Sequence, residues 1–253
     1  MDSSSQRTEC VVAGGGPAGL MLGYLLARAG VEVVVLEKHT DFLRDFRGDT
    51  IHPSTLEVMH ELGLLDAFLR LPHQRVERLA GQFGPARIVL ADFAHLPTRA
   101  KFIAMMPQWD FLDFLASEAR RYPTFRLMMN AEATSLVERD GRVVGLRADT
   151  PEGGLEIAAD LVVAADGRDS RLRAASGLDV VDFGAPMDAL WFRLSRAAGD
   201  TDQTQGRFDA GRIFVMLNRG DYWQCAFVIA KGSFARVREA GLDAFRRSLA
   251  PLL

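Results

Sequence analysis

Hydrophobic residues fall into short unbroken runs early in the chain and into alternation later. Glu9-Cys-Val-Val-Ala13 is a run that stops at glycines, and Val31 to Leu36 is β-branched and apolar. Such runs predict strands buried on both faces of a sheet. Between them, Ala18 to Ala29 is rich in Leu, Ala and Met and ends at Gly30, which predicts a helix with a glycine stop. Strand, tight turn, helix and strand in succession make a βαβ unit with a parallel sheet. Pro53 to Leu62 predicts a helix opened by Pro and Ser, and 87–91 and 101–105 predict short strands. Trp109 to Tyr122 carries apolar residues at 111, 112, 115, 116 and 119, a helical stripe that Pro123 ends. Asp140-Gly141 between two apolar segments predicts a hairpin. Leu161 to Ala165 is another buried strand, stopping at Asp166-Gly167.

Beyond about residue 180 the strands lengthen: Ala189 to Arg196, Arg212 to Leu217 and Tyr222 to Ala230 predict an antiparallel sheet, followed by a helix over Leu242 to Leu249. The reading is a first α/β domain over 1–180, with inserted strands around 75–105, and a second, sheet-rich domain over 181–253.

Composition narrows the function classes. The 253 residues are 48% hydrophobic and 25% charged, ordinary for a globular protein. Thirty basic and 33 acidic residues leave a net charge of −3 with no long single-sign run, which argues against a nucleic-acid partner or a polybasic membrane surface. Two cysteines, Cys10 and Cys225, exclude a disulfide scaffold, and no Cys/His spacing suits a metal. No apolar run approaches the ~18–20 residues of a spanning helix. The polar start predicts no secretory leader, hence a cytoplasmic, reduced protein.

The chemistry-bearing stretch is Gly14-Gly15-Gly16-Pro17-Ala18-Gly19, which places G-x-G-x-x-G between a buried strand and a helix. Eighteen residues after Gly19, at the end of the second strand, stands Glu37. This is a dinucleotide fingerprint. Gly14 makes the turn, Gly16 lets a pyrophosphate approach the backbone, and Gly19 lets helix and strand pack closely. The helix N-terminus supplies N–H groups for phosphate oxygens. Glu37 suits ribose hydroxyls and favours FAD or NAD over NADP. Lys38 and His39 follow it as solvated loop residues, with Lys38 retained as a cofactor-binding candidate. Asp166 and Gly167 arrive at a strand's carboxyl edge, and Ser170 is placed to cap the next helix. No metal-binding and no catalytic side-chain constellation is apparent.

These stretches together resemble the FAD-dependent aromatic hydroxylases of the para-hydroxybenzoate hydroxylase type. The Gly14 to Glu37 unit resembles their adenosine site, and Leu161 to Arg173 their Asp-Gly motif. Arg47-Gly48, ahead of a helix ending in Gly63-Leu64, resembles their cofactor-reaching Arg; Pro107-Gln108 resembles their cofactor-contacting Gln. The resemblance implies a Rossmann-like FAD domain with a partly antiparallel substrate-domain sheet. It also implies that Arg47 and Gln108 contact the cofactor and that Asp166 sits by the pyrophosphate or the NAD(P)H path. Solvated side chains are the alternative at 47 and 108. The implied reaction is hydroxylation of a small aromatic substrate with NADPH or NADH and O2, through a flavin C4a-hydroperoxide. His52 is a further candidate for polarising substrate or flavin. Trp191, Phe192, Phe208, Phe214, Trp223 and Phe227 read as a pocket wall or as core.

One feature departs from the family. Its third motif, a Gly-Asp segment, is missing: Gly220-Asp221 runs into Tyr222-Trp223 and reads as a hairpin turn. With the apolar Leu249, Leu252 and Leu253 expected to be exposed unless they dock, this predicts a chain that stops early and holds flavin poorly. The alternatives are another flavoprotein on the same fold, a halogenase or an isoprenoid-type reductase, or a nucleotide-binding module without turnover. A Trp-x-Trp-x-Ile-Pro signature would favour the halogenase, and Trp109, Trp191 and Trp223 do not form one.

Overall fold

The structure, a computed structural model, describes residues 5–43, 50–201 and 203–252. In chain order the elements are β1 (Ser5–Ala13), α1 (Pro17–Arg28), β2 (Val33–Leu36), β3 (Thr50–Ile51), α2 (Pro53–Glu61), α3 (Leu65–Phe68), β4 (Gln74–Val76), β5 (Arg78–Phe83), β6 (Ala86–Asp92) and β7 (Ile103–Met105). They continue with α4 (Gln108–Ala119), β8 (Phe125–Met128), β9 (Glu132–Arg139), β10 (Arg142–Thr150), β11 (Gly153–Ala164), α5 (Arg171–Ala175), β12 (Met187–Ser195), β13 (Gln205–Asp209), β14 (Arg212–Asn218), β15 (Tyr222–Ala230), α6 (Phe234–Ala240) and α7 (Leu242–Leu249). No helix among the described residues is long and apolar enough to cross a membrane.

Two compact units emerge. The first comprises 1–44 and 108–181, the second 45–107 and 182–253. The strands that the sequence reading keeps as an insertion in the first domain therefore fold with the later sheet. The reason is long-range pairing. β5 runs parallel to β13, with Gly81 opposite Gly206 and Phe83 opposite Phe208. Sequence periodicity carries no information about such a partner.

The first unit holds a sheet in the order β8-β2-β1-β11-β10-β9. β8, β2, β1 and β11 are mutually parallel, and β11-β10-β9 continue antiparallel. The apolar runs are buried on both faces, as parallel strands covered on both sides require. Val11, Ala13, Val34 and Leu36 join one core layer with Leu146, Ile157 and Leu172. The opposite face meets α1: a Cβ at Gly23 would lie 2.6 Å from Val35 Cγ2. The β9–β10 turn has both central residues at positive φ, Asp140 at 52° and Gly141 at 72°. That is the primed turn the Asp-Gly pair predicts. α4 ends three residues before Tyr122, where the Tyr122 N–H bonds the Ala119 carbonyl at 3.0 Å and tightens the last turn.

The second unit holds a sheet in the order β12-β15-β14-β13-β5-β6 and a small sheet β3-β7-β4. One face of the larger sheet carries Phe192, Phe214, Trp223, Cys225 and Phe227, covered by Phe245, Leu249 and Leu252. Leu249 and Leu252 are 3% and 5% exposed, so these two dock and the expected exposure does not arise. Leu253 lies outside the described residues.

Candidate functional site

Register builds the site. Ala13 lies beside Leu36 across one pairing and beside Ala164 across the other. Three parallel strands thus end level, at the carboxyl edge where α/β sheets bind ligands. The Gly14 N–H donates to the Leu36 carbonyl at 2.8 Å, and the Ala165 N–H donates to the Ala13 carbonyl at 2.8 Å. The glycine loop, Glu37 and Asp166 are therefore brought to one edge.

The glycines of the loop differ in what requires them. Gly14 sits at φ +111°, and a Cβ there would collide with the Ala165 carbonyl and lie 3.0 Å from the Asp166 nitrogen. A Cβ at Gly19 would collide with the Gly14 carbonyl and lie 3.3 Å from Val12 Cγ1. At Gly15 it would lie 2.8 Å from Glu37 Cβ. The chain's own packing accounts for these three. Gly16 has ordinary extended backbone, φ −74° and ψ −176°, and a Cβ there would meet nothing within 4 Å. Neither strain nor packing demands glycine at 16, so the space it leaves opens outward from the chain. Pro17 and Ala18, beside it, are exposed. α1 begins there with Pro at its first turn, and its first backbone bond runs from Leu20 N–H to the Gly16 carbonyl at 2.9 Å. The N–H groups before that bond form a helix-head anion cradle.

Glu37 is buried, 8% exposed. Its Oε2 accepts from the Gly15 N–H at 3.2 Å and its Oε1 from the His39 N–H at 3.1 Å. The His39 ring contributes a third contact, Nδ1 to Oε1. His39 is thus not a merely solvated residue; the signal missed in the sequence is a donor two positions after a buried acid. Lys38 is exposed. Asp166 Oδ2 accepts from the Leu172 N–H at 3.5 Å, while its Oδ1 is buried with no hydrogen-bond partner among the described residues. Buried carboxylate oxygens are normally satisfied, so a ligand group facing Oδ1 would be stabilised there. Gly167, at φ +94°, has open space where its Cβ would be. Ser170 caps α5 by accepting from the Arg173 N–H at 2.9 Å.

Gln108 opens α4 in the same unit. Two further acids lie on that helix. Burial pushes the Asp110 and Asp113 carboxyls up, and the neighbouring carboxylates Asp113 and Asp41, respectively, act in the same direction. Arg47 lies outside the described residues. His52 belongs to the second unit, where it precedes α2 and its Nε2 lies 3.4 Å from Thr50 Oγ1. The aromatic candidates divide by face. Phe192, Phe214, Trp223 and Phe227 are core, whereas Trp191, 46% exposed, and Phe208 take the opposite face.

An open helix head, a level acid and a carboxylate oxygen without a hydrogen-bond partner among the described residues thus share one parallel edge, the arrangement expected of a dinucleotide-binding domain. The chain belongs to the FAD-binding domain family, which it matches over residues 7–244. It is 30% identical over 197 residues to the 6-methylpretetramide 4-monooxygenase of Streptomyces rimosus, covering 77% of this chain and 47% of that protein. It is 29% identical over 251 residues to a rifampicin monooxygenase of Streptomyces venezuelae, covering 97% of this chain and 48% of that protein. The chain thus spans about half the length of these relatives. Among solved structures, p-nitrophenol 4-monooxygenase of Pseudomonas putida superposes with a TM-score of 0.78 at 24% identity, covering 93% of this chain and 61% of that one. A myxobacterial chondrochloren halogenase gives a TM-score of 0.81 at 21% identity, covering 97% and 58%. Those two likenesses establish the fold.

Proposed function

We propose that this chain is the cofactor-binding and substrate-sheet portion of an FAD-dependent monooxygenase that hydroxylates a small, phenol-like aromatic substrate with NAD(P)H and O2. The observation that carries the reading is the open approach to Gly16 and, on the same sheet edge, the Oδ1 of Asp166 without a hydrogen-bond partner among the described residues, in a chain of the FAD-binding family. The monooxygenase names of the relatives support the reaction class.

In this reading Gly14 to Gly19 hold the pyrophosphate, with Gly16 admitting it to the backbone and the head of α1 supplying N–H donors. Glu37 accepts from the adenosine ribose hydroxyls, with Lys38 at its rim. Asp166 offers Oδ1 to a ligand donor, and Gly167 leaves room for it. Gln108, at the head of α4, contacts the cofactor. The redox chemistry, hydride acceptance and dioxygen activation, would be supplied by the flavin that these residues would hold. The chain's own share is to bind, orient the ring and exclude water. Trp191 and Phe208, on the face of the larger sheet opposite Phe214 and Trp223, are aromatic side chains offered to an aromatic substrate. A cytoplasmic location accords with NAD(P)H use and with the unpaired, buried Cys10 and Cys225.

The test is calorimetric titration of the purified chain with ADP and FAD, then NADH and NADPH oxidation with phenolic substrates. Nucleotide binding supports the cofactor site, and hydroxylated product the reaction class; a folded chain that binds neither ADP nor FAD rejects the reading.

A further inference from the structure

We propose that Gly81 is the specificity-determining residue of the substrate face, holding the Phe208 ring back so that a fused-ring phenol fits between Phe208 and Trp191; this rests on the reading of that face as the substrate's. Gly81 and Phe83 of β5 lie directly opposite Gly206 and Phe208 of β13. Side chains alternate along a strand, so all four positions belong to the face that carries Trp191. The Phe83 and Phe208 rings are stacked, with centroids 4.5 Å apart and planes 5° from parallel.

The Phe208 ring leans off its own strand. A Cβ at Gly81 would lie 2.6 and 2.9 Å from Cε2 and Cδ2 of Phe208, whereas one at Gly206 would lie 3.1 Å from Cε2. The ring therefore reaches across β5, into the space that a side chain at 81 would fill, and away from β14. Phe83 backs it there, its Cε2 3.0 Å from the same Cβ position. The atoms that crowd position 81 are ring ends, so a methyl group there displaces rings and leaves the backbone in place.

Trp191 stands in the same row across the sheet. It is opposite Ala226, which is opposite Val215, which is opposite Gly206. β12 and β13 are three strand spacings apart, about 14 Å. Trp191 is 46% exposed, and Val215 and Phe208 are half-buried. The span between these aromatic walls is longer than one benzene ring, and a ligand that leaves part of it empty forfeits dispersion contacts. The face of the Phe208 ring turned from Phe83 lies on the β14 side, where offset stacking favours a flat aromatic ligand. A methyl at 81 pushes the ring toward β14 and shortens the span, so a fused two-ring phenol is refused before a single-ring one.

Binding of 2-naphthol, phenol and ADP to the purified 253-residue chain is measured by calorimetry for the wild type, Gly81→Ala, Phe83→Leu, Phe208→Ala and the Gly81→Ala/Phe208→Ala double variant, with melting temperatures alongside. We expect the wild type to hold 2-naphthol at least about fivefold more tightly than phenol. Gly81→Ala weakens 2-naphthol by about tenfold, while phenol and ADP stay within about twofold and the melting temperature does not fall. Phe83→Leu removes the backing ring, lowers the preference for 2-naphthol by about threefold, and reads the same geometry should Gly81→Ala fail to fold. On Phe208→Ala, the added Gly81→Ala changes 2-naphthol binding by less than about twofold, because the ring it displaces is gone. No preference for 2-naphthol in the wild type, equal losses of phenol and 2-naphthol, no loss in Gly81→Ala, or a further loss on Phe208→Ala overturns the role of Gly81. A wild type that binds neither 2-naphthol nor phenol overturns it as well; ADP binding retained in that case leaves the cofactor reading standing, and its absence removes both.

Discussion

At the scale of single residues, glycines a few positions apart are held for opposite reasons, and substitution separates them. Gly16→Val fits the backbone and the space available, so the variant folds within about 0.5 kcal/mol of wild type yet places two methyl groups where the phosphates approach. Calorimetry is expected to show no ADP binding by this variant. Gly19→Ala drives a methyl into the Gly14 carbonyl and forces helix and strand apart. Its effect is on folding, a loss of about 1–3 kcal/mol in urea unfolding. If the two variants exchange behaviours, the assignment of cradle and packing glycines is wrong. Glu37→Gln keeps the shape and removes the charge. Hydrogen bonds to charged acceptors contribute about 1.5–3 kcal/mol, so ADP binding weakens by roughly tenfold or more. Equal affinity in the variant would remove Glu37 from the binding site.

At the scale of elements, caps and docked ends set the energetics. Ser170→Ala removes the acceptor for the Arg173 N–H and is expected to lower stability by about 1 kcal/mol in urea unfolding. Leu249→Ala empties a buried position beneath the Trp223 and Phe214 side chains, at a cost of about 2–5 kcal/mol. A negligible loss would mean that α7 does not seal the sheet. Elements also differ in how far the amino-acid sequence alone discloses them. The βαβ unit, its glycine loop and Asp140-Gly141 are legible because local spacing and turn chemistry determine them. The docking of Leu249 is not, because a short amphipathic helix does not name the sheet that receives it. The partnership of β5 with β13 is equally hidden, since it joins segments separated by much of the chain. The contact of His39 with Glu37 escapes for a related reason: it depends on the burial of Glu37, which only the packing of Gly15 against it reveals.

At the scale of the whole molecule, both units bury groups that must stay protonated, which sets an alkaline limit on stability. Burial pushes the Cys225 thiol up to about 12 in the second unit and raises the Cys10 thiol in the first. Burial, with the hydrogen bond to Tyr122, pushes the Tyr24 phenol up to about 12. In each case the folded-state value lies above the unfolded one, so the stabilisation is complete below the ordinary thiol and phenol range. It declines as pH rises, because the unfolded chain releases its protons first. The surface carboxylates Asp92, Asp188 and Asp200 act in the opposite sense. A backbone hydrogen bond from Ala94 lowers the first, a hydrogen bond from Lys231 the second, and one from the Trp223 ring the third. Their contribution is present at neutral pH and is lost on acidification. The expected profile of melting temperature is a plateau near neutrality with a fall that begins at about pH 9 and continues toward 12. Cys225→Ala, measured over the same range, is expected to flatten the alkaline limb of the second unit, at the cost of a lower plateau from the lost sulfur packing. Thiol labelling supplies the independent measure. Both cysteines should resist a disulfide reagent at pH 8 until denaturant unfolds the chain, and rapid labelling of the native protein would show that the thiols are not held protonated by burial.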